Sequence, residues 1–192
     1  MGAKDVERPF LDKVSEYLLS LPFDLKILQE AVTDPDLDHA AREEAAGTII
    51  HALSPQEGES PGRYIDDVLL VRAALKRVVE RGGDGASAFS SRFGEVYERL
   101  DDDLKTFEEF LGELWPWVLG KLPGFVKLVF KGKKAPQYVD DDEAASFLYE
   151  QGLEFQTNYP VNEEQVRNRV RRGDQIVEML NRRRAEEAKK KV

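Results

Sequence analysis

Four acids have the type and the proximity for chemistry: Glu57 and Glu59 in a loop dense in Pro, Gly and acid, and Asp66 and Asp67 where the next helix begins. Brought to one point, their oxygens suit a hard divalent cation such as Mg²⁺ or Ca²⁺. The competing role is local, because acids in the first turn of a helix stabilise it by about 0.3 to 1 kcal/mol through its dipole and free N–H groups. Their spacing is not that of a twelve-residue calcium loop, which needs ligands at alternate positions around a central Gly. Arg42 or Arg72 would hold the same acids without a metal. The two histidines, His39 and His51, fall on one predicted helix. Twelve positions separate them, about 18 Å along the axis, too far for one ion. His51 near Ser54 is adjacency rather than a nucleophile arrangement, and no phosphate loop, dinucleotide fingerprint or zinc-protease helix occurs. With no cysteine, thiolate catalysis and cysteine-ligated zinc are excluded.

A second set of residues lies at 114–134, which holds both tryptophans and five lysines but no acid. It carries +5 in a chain of −9, leaving −14 for the rest. Trp115, Trp117, Phe125 and Phe130 beside Lys121, Lys127, Lys131, Lys133 and Lys134 have the composition of a segment that contacts a partner or an anionic lipid surface. Two prolines and interior lysines exclude a membrane span. The alternative is a pair of amphipathic helices whose aromatics fill the core and whose lysines pair with Asp101 to Asp103 or Asp140 to Asp142. The net charge argues against wholesale nucleic-acid binding. The C-terminal arginines, interleaved with Glu163, Glu164, Asp174 and Glu178, read as a solvated face with i,i+4 pairs.

The elements that position these residues read as helices. Phe10, Leu11, Val14, Tyr17, Leu18 and Leu21 recur at three- and four-residue steps and predict a helix closed by Pro22, with a short one following through Val32. Asp34 and Pro35 have the order of an N-cap and a first helical residue, predicting a third helix that turns Ala41, Ala45, Ile49 and Ala52 inward. Ser54 to Glu57 has capping-box spacing and predicts another helical turn. A helix over 64–80 then ends at Gly82 to Gly85, which reads as a flexible link and subdomain boundary.

Phe93, Tyr97, Leu100, Leu104, Phe107, Leu111 and Leu114 follow four-three spacing. They predict one helix over 88–115, roughly 40 Å long, kinked or stopped by Pro116. Large Phe and Tyr suit a bundle interior better than a two-stranded seam, so this stripe is expected to pack within the chain, as a monomer, the alternative being an oligomer seamed through the Phe93–Leu114 heptads. Asp140 to Glu143 caps a helix ending at Gly152, residues 153–159 alternate as a short extended segment, and Asn162 with Gln165 caps a last helix with a fraying charged tail. Asp5 and Glu7 interrupt any leader-like apolar run, and Gly2 lacks the lipidation pattern, so a cytoplasmic location is expected, compatible with peripheral membrane contact.

At Asp34-Pro35-Asp36, Ala45 to Leu53, Ser54-Pro55 and Gly62 to Asp67, the chain resembles the YkvA-like family, a small helical domain of unknown function. Its members join two helices by a Ser-Pro loop that ends in Gly and paired aspartates. Ser54, Pro55, Pro61, Gly62, Asp66 and Asp67 take those places. Glu57 replaces the first loop aspartate, the Pro-Asp step is missing and the loop is shorter. The resemblance covers about residues 34–75 and implies a helical core without an activity to transfer; some relatives are membrane-associated.

The expectation is an all-α, multi-helix bundle with a YkvA-like core over 1–81 and a second helical portion over 86–192, the two packing as one or as separate units. The expected function is a non-catalytic scaffold or binding module at a protein or membrane surface, contacting it through 114–134. The alternative is a divalent-metal-dependent enzyme using the acidic loop 57–67. No cofactor is expected beyond such a cation.

Overall fold

The computed structural model describes residues 3–191, with side chains from Asp5 onward. Gly2, where a lipidation pattern was sought, and the final Val192 lie outside these residues. The described residues form an all-α bundle of ten helices, α1 (Ala3–Thr33), α2 (His39–Leu53), α3 (Ile65–Arg81), α4 (Ala86–Arg92), α5 (Gly94–Leu111), α6 (Leu114–Leu119), α7 (Ala135–Asp140), α8 (Asp142–Asn158), α9 (Glu163–Arg169) and α10 (Gly173–Lys190). One hairpin, β1 (Val129–Phe130) and β2 (Lys133–Lys134), interrupts it among the described residues. None of the described helices is long and apolar enough to cross a membrane.

The helix expected to close at Pro22 runs through it, since α1 contains both Pro9 and Pro22. A helical proline deprives the carbonyl four residues back of its ladder partner, here Leu18. The Tyr159 hydroxyl donates to that carbonyl at 2.5 Å, so a residue of the distant α8–α9 link replaces the bond. Phe10, Val14, Leu18, Leu21, Leu25 and Leu28 thereby form one continuous buried stripe. It packs with α2, α3, α5 and α8, so the two expected portions share a single core among the described residues.

Several expected boundaries are corrected. Asp34 does not cap α2; its carboxylate accepts the Asp36 N–H in a turn, and the helix starts at His39. Ser54 ends α2, with its hydroxyl donating to the Ile50 carbonyl at 2.6 Å, and no helix starts there. Gly82 to Gly85 is a tight turn rather than a loose link: a Cβ on Gly85 would strike the Asp36 carbonyl. The heptad helix is broken at Phe93 and ends at Gly112, whose positive φ of 51° suits glycine. Pro116 then falls in the first turn of α6, where a proline N–H is not needed. Residues 153–158 continue α8, with Phe155 and Tyr159 one helical turn apart against the core while Leu153 is exposed. The tail expected to fray is helical to Lys190.

The small residues of α2 allow a turn over 122–127 to lie directly on it: a Cβ on Gly47 would sit 2.7 Å from the Phe125 carbonyl carbon. From this turn the chain enters the hairpin. Val129 pairs with Lys134 and Phe130 with Lys133, and positive φ at Lys131 and Gly132 supplies a two-residue turn matched to strand twist. The Tyr138 hydroxyl of α7 donates to the Phe130 carbonyl at 2.5 Å and ties the hairpin to the bundle.

Candidate functional site

The four loop acids do not meet. Glu57 and Glu59 are exposed, and Glu59 pairs with Arg169 at 3.3 Å. Asp66 and Asp67 are buried in the first turn of α3. Asp66 takes an ion pair from Arg183 of α10 at 2.8 Å, which is not an aligned hydrogen bond, and a longer one from Lys121 at 3.8 Å. Asp67 accepts from the Gln56 amide at 2.9 Å and lies 3.5 Å from His51 Nε2. Among the described residues no group of three or more His, Asp or Glu side chains is placed to hold a metal ion. Arg42 and Arg72, expected as partners, are engaged elsewhere: Arg42 donates to the Val32 carbonyl, and Arg72 pairs with Asp24 and Asp103.

Burial decides the protonation of the inner pair. It pushes Asp67 up to about 8, helped by the neighbouring Asp66 charge, while Gln56 and Arg183 oppose the rise. It pulls His51 down to about 4, with Lys121 acting in the same direction. At pH 7 the pair is a carboxylic acid beside a neutral imidazole, and Asp67 Oδ2 has no hydrogen-bond partner. A cation binding Asp67 would have to displace this proton. His51 stacks on Phe125 at 4.2 Å, and the nearby Ser54 hydroxyl is occupied by the Ile50 carbonyl, so no serine nucleophile is assembled.

The distal half of α10 covers this corner. Beyond Leu180 it buries no apolar side chain, and it is held by Arg183 on Asp66 and by Glu187 on Lys121 at 2.9 Å. The resulting recess of about 280 Å³ is lined by His51, Gln56, Glu57, Asp66, Lys121 and Arg183 among others.

The 114–134 segment divides in two. Trp115 and Phe125 face the core, Trp117 is half-buried under the Lys121 ammonium at 4.0 Å, and Lys121 is tied to Asp66 and Glu187. These four are turned inward because the apolar steps of α6 and the following turn pack on α3, α5 and α2. Lys127, Lys131 and Lys134 are exposed, Lys133 and Phe130 half-buried, and Val129 is 59% exposed. Of the acids expected to pair with these lysines, Asp142 is exposed and makes no ion pair among the described residues, and the others are engaged elsewhere. Asp101 holds Lys76, Asp102 holds Lys13, Asp103 holds Arg72, Asp140 holds His39, and Asp141 caps α8. Among the described residues Lys127, Lys131, Lys133 and Lys134 make no ion pair.

Beside the hairpin lies a cleft of about 510 Å³. Val129, Phe130 and Lys131 form one side; Tyr64, Phe155 and Tyr159 form the other, with centroids 5.0 to 6.1 Å apart. Period-two reading of 153–159 concealed this wall; the four-residue step from Phe155 to Tyr159 was the signal for it.

Sequence reasoning also missed a buried ionic centre. Asp103, fully buried, accepts from Arg72 at 2.6 Å, Lys13 at 2.6 Å and Tyr17 at 2.5 Å, and Arg72 lies over the Tyr17 ring at 3.9 Å. Asp24 lies 3.3 Å from the same guanidinium, and burial raises it to about 6. Two cations and two acids thus pin α1, α3 and α5 together. No protein-family model, curated protein or solved structure matches the chain.

Proposed function

We propose that this chain is a non-catalytic binding module that docks on another protein through the hairpin and the cleft beside it. The observation that carries this reading is a difference in pairing. The buried acids of loop 54–67 are held by Gln56, Arg183 and Lys121, whereas Lys127 and the three hairpin lysines make no ion pair among the described residues and flank an exposed Val129. A protein surface suits this face better than a lipid surface, because the tryptophans that would sit at a membrane interface are turned inward or covered. Residues 34–75, which resemble the YkvA-like family, serve in this reading as the rigid support of the cleft.

The test is cross-linking in cell extract, followed by rebinding of each recovered protein in pure form to the native chain and to a Lys131→Glu, Lys133→Glu, Lys134→Glu variant. The reading expects at least one partner whose binding the variant abolishes, and no partner responding to the variant would contradict it. Melting with Mg²⁺, Ca²⁺ or Mn²⁺ tests the metal-enzyme alternative. A stabilising shift lost in Asp66→Asn with Asp67→Asn would favour that alternative instead.

A further inference from the structure

The partner's chemistry can be narrowed, and this step rests on the binding reading above. We infer that the cleft between the hairpin and α8 receives an extended acidic peptide segment carrying one large apolar or aromatic side chain. Three features converge on that occupant.

The first is shape. About 510 Å³ is enough for a large side chain and its flanking backbone, but the opening is bounded by a two-residue strand and one face of α8, too confined for a whole helix. Both sides are fixed before anything binds: Tyr138 donates to the Phe130 carbonyl, and Tyr159 to the Leu18 carbonyl that Pro22 leaves without a ladder partner. A pre-formed cleft avoids the ordering cost of a mobile one.

The second feature is the wall. Tyr64, Phe155 and Tyr159 pack edge-on or tilted against one another and present ring surface to the cleft. Such a surface takes an aromatic or branched apolar side chain. At its end Asn158 is exposed, and its side-chain amide makes no hydrogen bond among the described residues. A free amide offers two donors and an acceptor, the complement of an extended peptide backbone.

The third feature is charge. Lys131 lines the cleft, and Lys127, Lys133 and Lys134 lie on the same hairpin and its approach, all without an ion pair among the described residues. Glu154 is the acid on the opposite lip, and the Gln151 amide already donates to it at 3.3 Å. In a chain of net −9, this localised positive hairpin selects acidic residues flanking the anchor and disfavours basic ones.

The experiment is selection of a random nine-residue phage-displayed peptide library on the full chain. Affinities of enriched peptides are then measured for the native protein, Lys131→Glu with Lys133→Glu, Asn158→Ala, and a charge-matched Lys189→Glu with Lys190→Glu control. The expected consensus is an aromatic or large apolar residue flanked by acids. Affinity should fall by about tenfold or more in the hairpin variant, fall by a smaller factor in Asn158→Ala, and stay unchanged in the control. A neutral or basic consensus, no enrichment, or an equal loss in the control would overturn the inference. If no acidic peptide is enriched while a purified partner still loses binding in the hairpin triple variant, the peptide class falls and the binding module stands. Sedimentation with phosphatidylserine vesicles that the hairpin variant abolishes, without peptide enrichment, would overturn it in favour of a lipid surface.

Discussion

The acidic loop and the basic hairpin are the two places where the sequence concentrates charge, and the fold treats them oppositely. Asp66 and Asp67 are taken inside and provided with an amide, an arginine and a lysine from the same chain. The hairpin lysines are held out on a tight turn, and the acids nearest to them in sequence are bound to other groups. Charge density alone therefore does not mark a site. What distinguishes the hairpin is that its lysines make no ion pair among the described residues.

The largest effect expected concerns charge held inward. Arg72→Ala leaves Asp24 and Asp103 buried without their shared guanidinium, and removing one partner of a buried ion pair costs about 3–5 kcal/mol. Urea unfolding should show that loss.

Next in size is a pH dependence. The folded-state value of Asp67 lies above its unfolded value, so its protonation favours the folded chain. That contribution is complete below about pH 4 and is lost as pH rises to about 8. His51 has the opposite sign, but its window closes near its unfolded value of 6.5. Between pH 6.5 and 8 Asp67 thus acts without His51, and stability should fall by up to about 1.4 kcal/mol per pH unit. Asp67→Asn should flatten that slope; an unchanged slope would show that the inner carboxyl is already ionised at neutral pH.

A smaller loss is expected where the cleft is tied to α1. Tyr159→Phe strands the Leu18 carbonyl opposite Pro22 and should cost about 1–2 kcal/mol, read as a lower urea midpoint. The smallest effect sharpens the contrast most. Lys131→Glu with Lys133→Glu and Lys134→Glu should change stability by less than about 0.5 kcal/mol, because these lysines make no ion pair among the described residues. A large loss would mean that the hairpin charges serve the fold after all.

Local pattern carried much of this architecture. The spacing of Phe10, Val14, Leu18 and Leu21 was enough to find the buried face of α1, and the Asn162 and Gln165 pair does form the capping box that starts α9. The stripe from Phe93 to Leu114 packs inside the chain, with Leu100, Phe107, Leu111 and Leu114 buried. What escaped was long-range. Pro22 looked like a helix end because the hydroxyl that rescues it belongs to Tyr159, and Arg72 looked like a partner for loop acids because Asp24 and Asp103 lie far from it in sequence. The fate of the tryptophans was similarly hidden, since a basic aromatic segment reads alike whether its rings face a partner or Phe107, 5.9 Å from Trp115.

Hydrogen exchange on the full chain, alone and with a purified partner, tests the contrast between loop and hairpin most directly. The account predicts slowed exchange over 127–134 and 151–159, with 56–62 and the covering segment 181–190 unchanged. Slowing confined to 56–67 and the covering segment 181–190 would contradict it and return the functional role to the acidic loop.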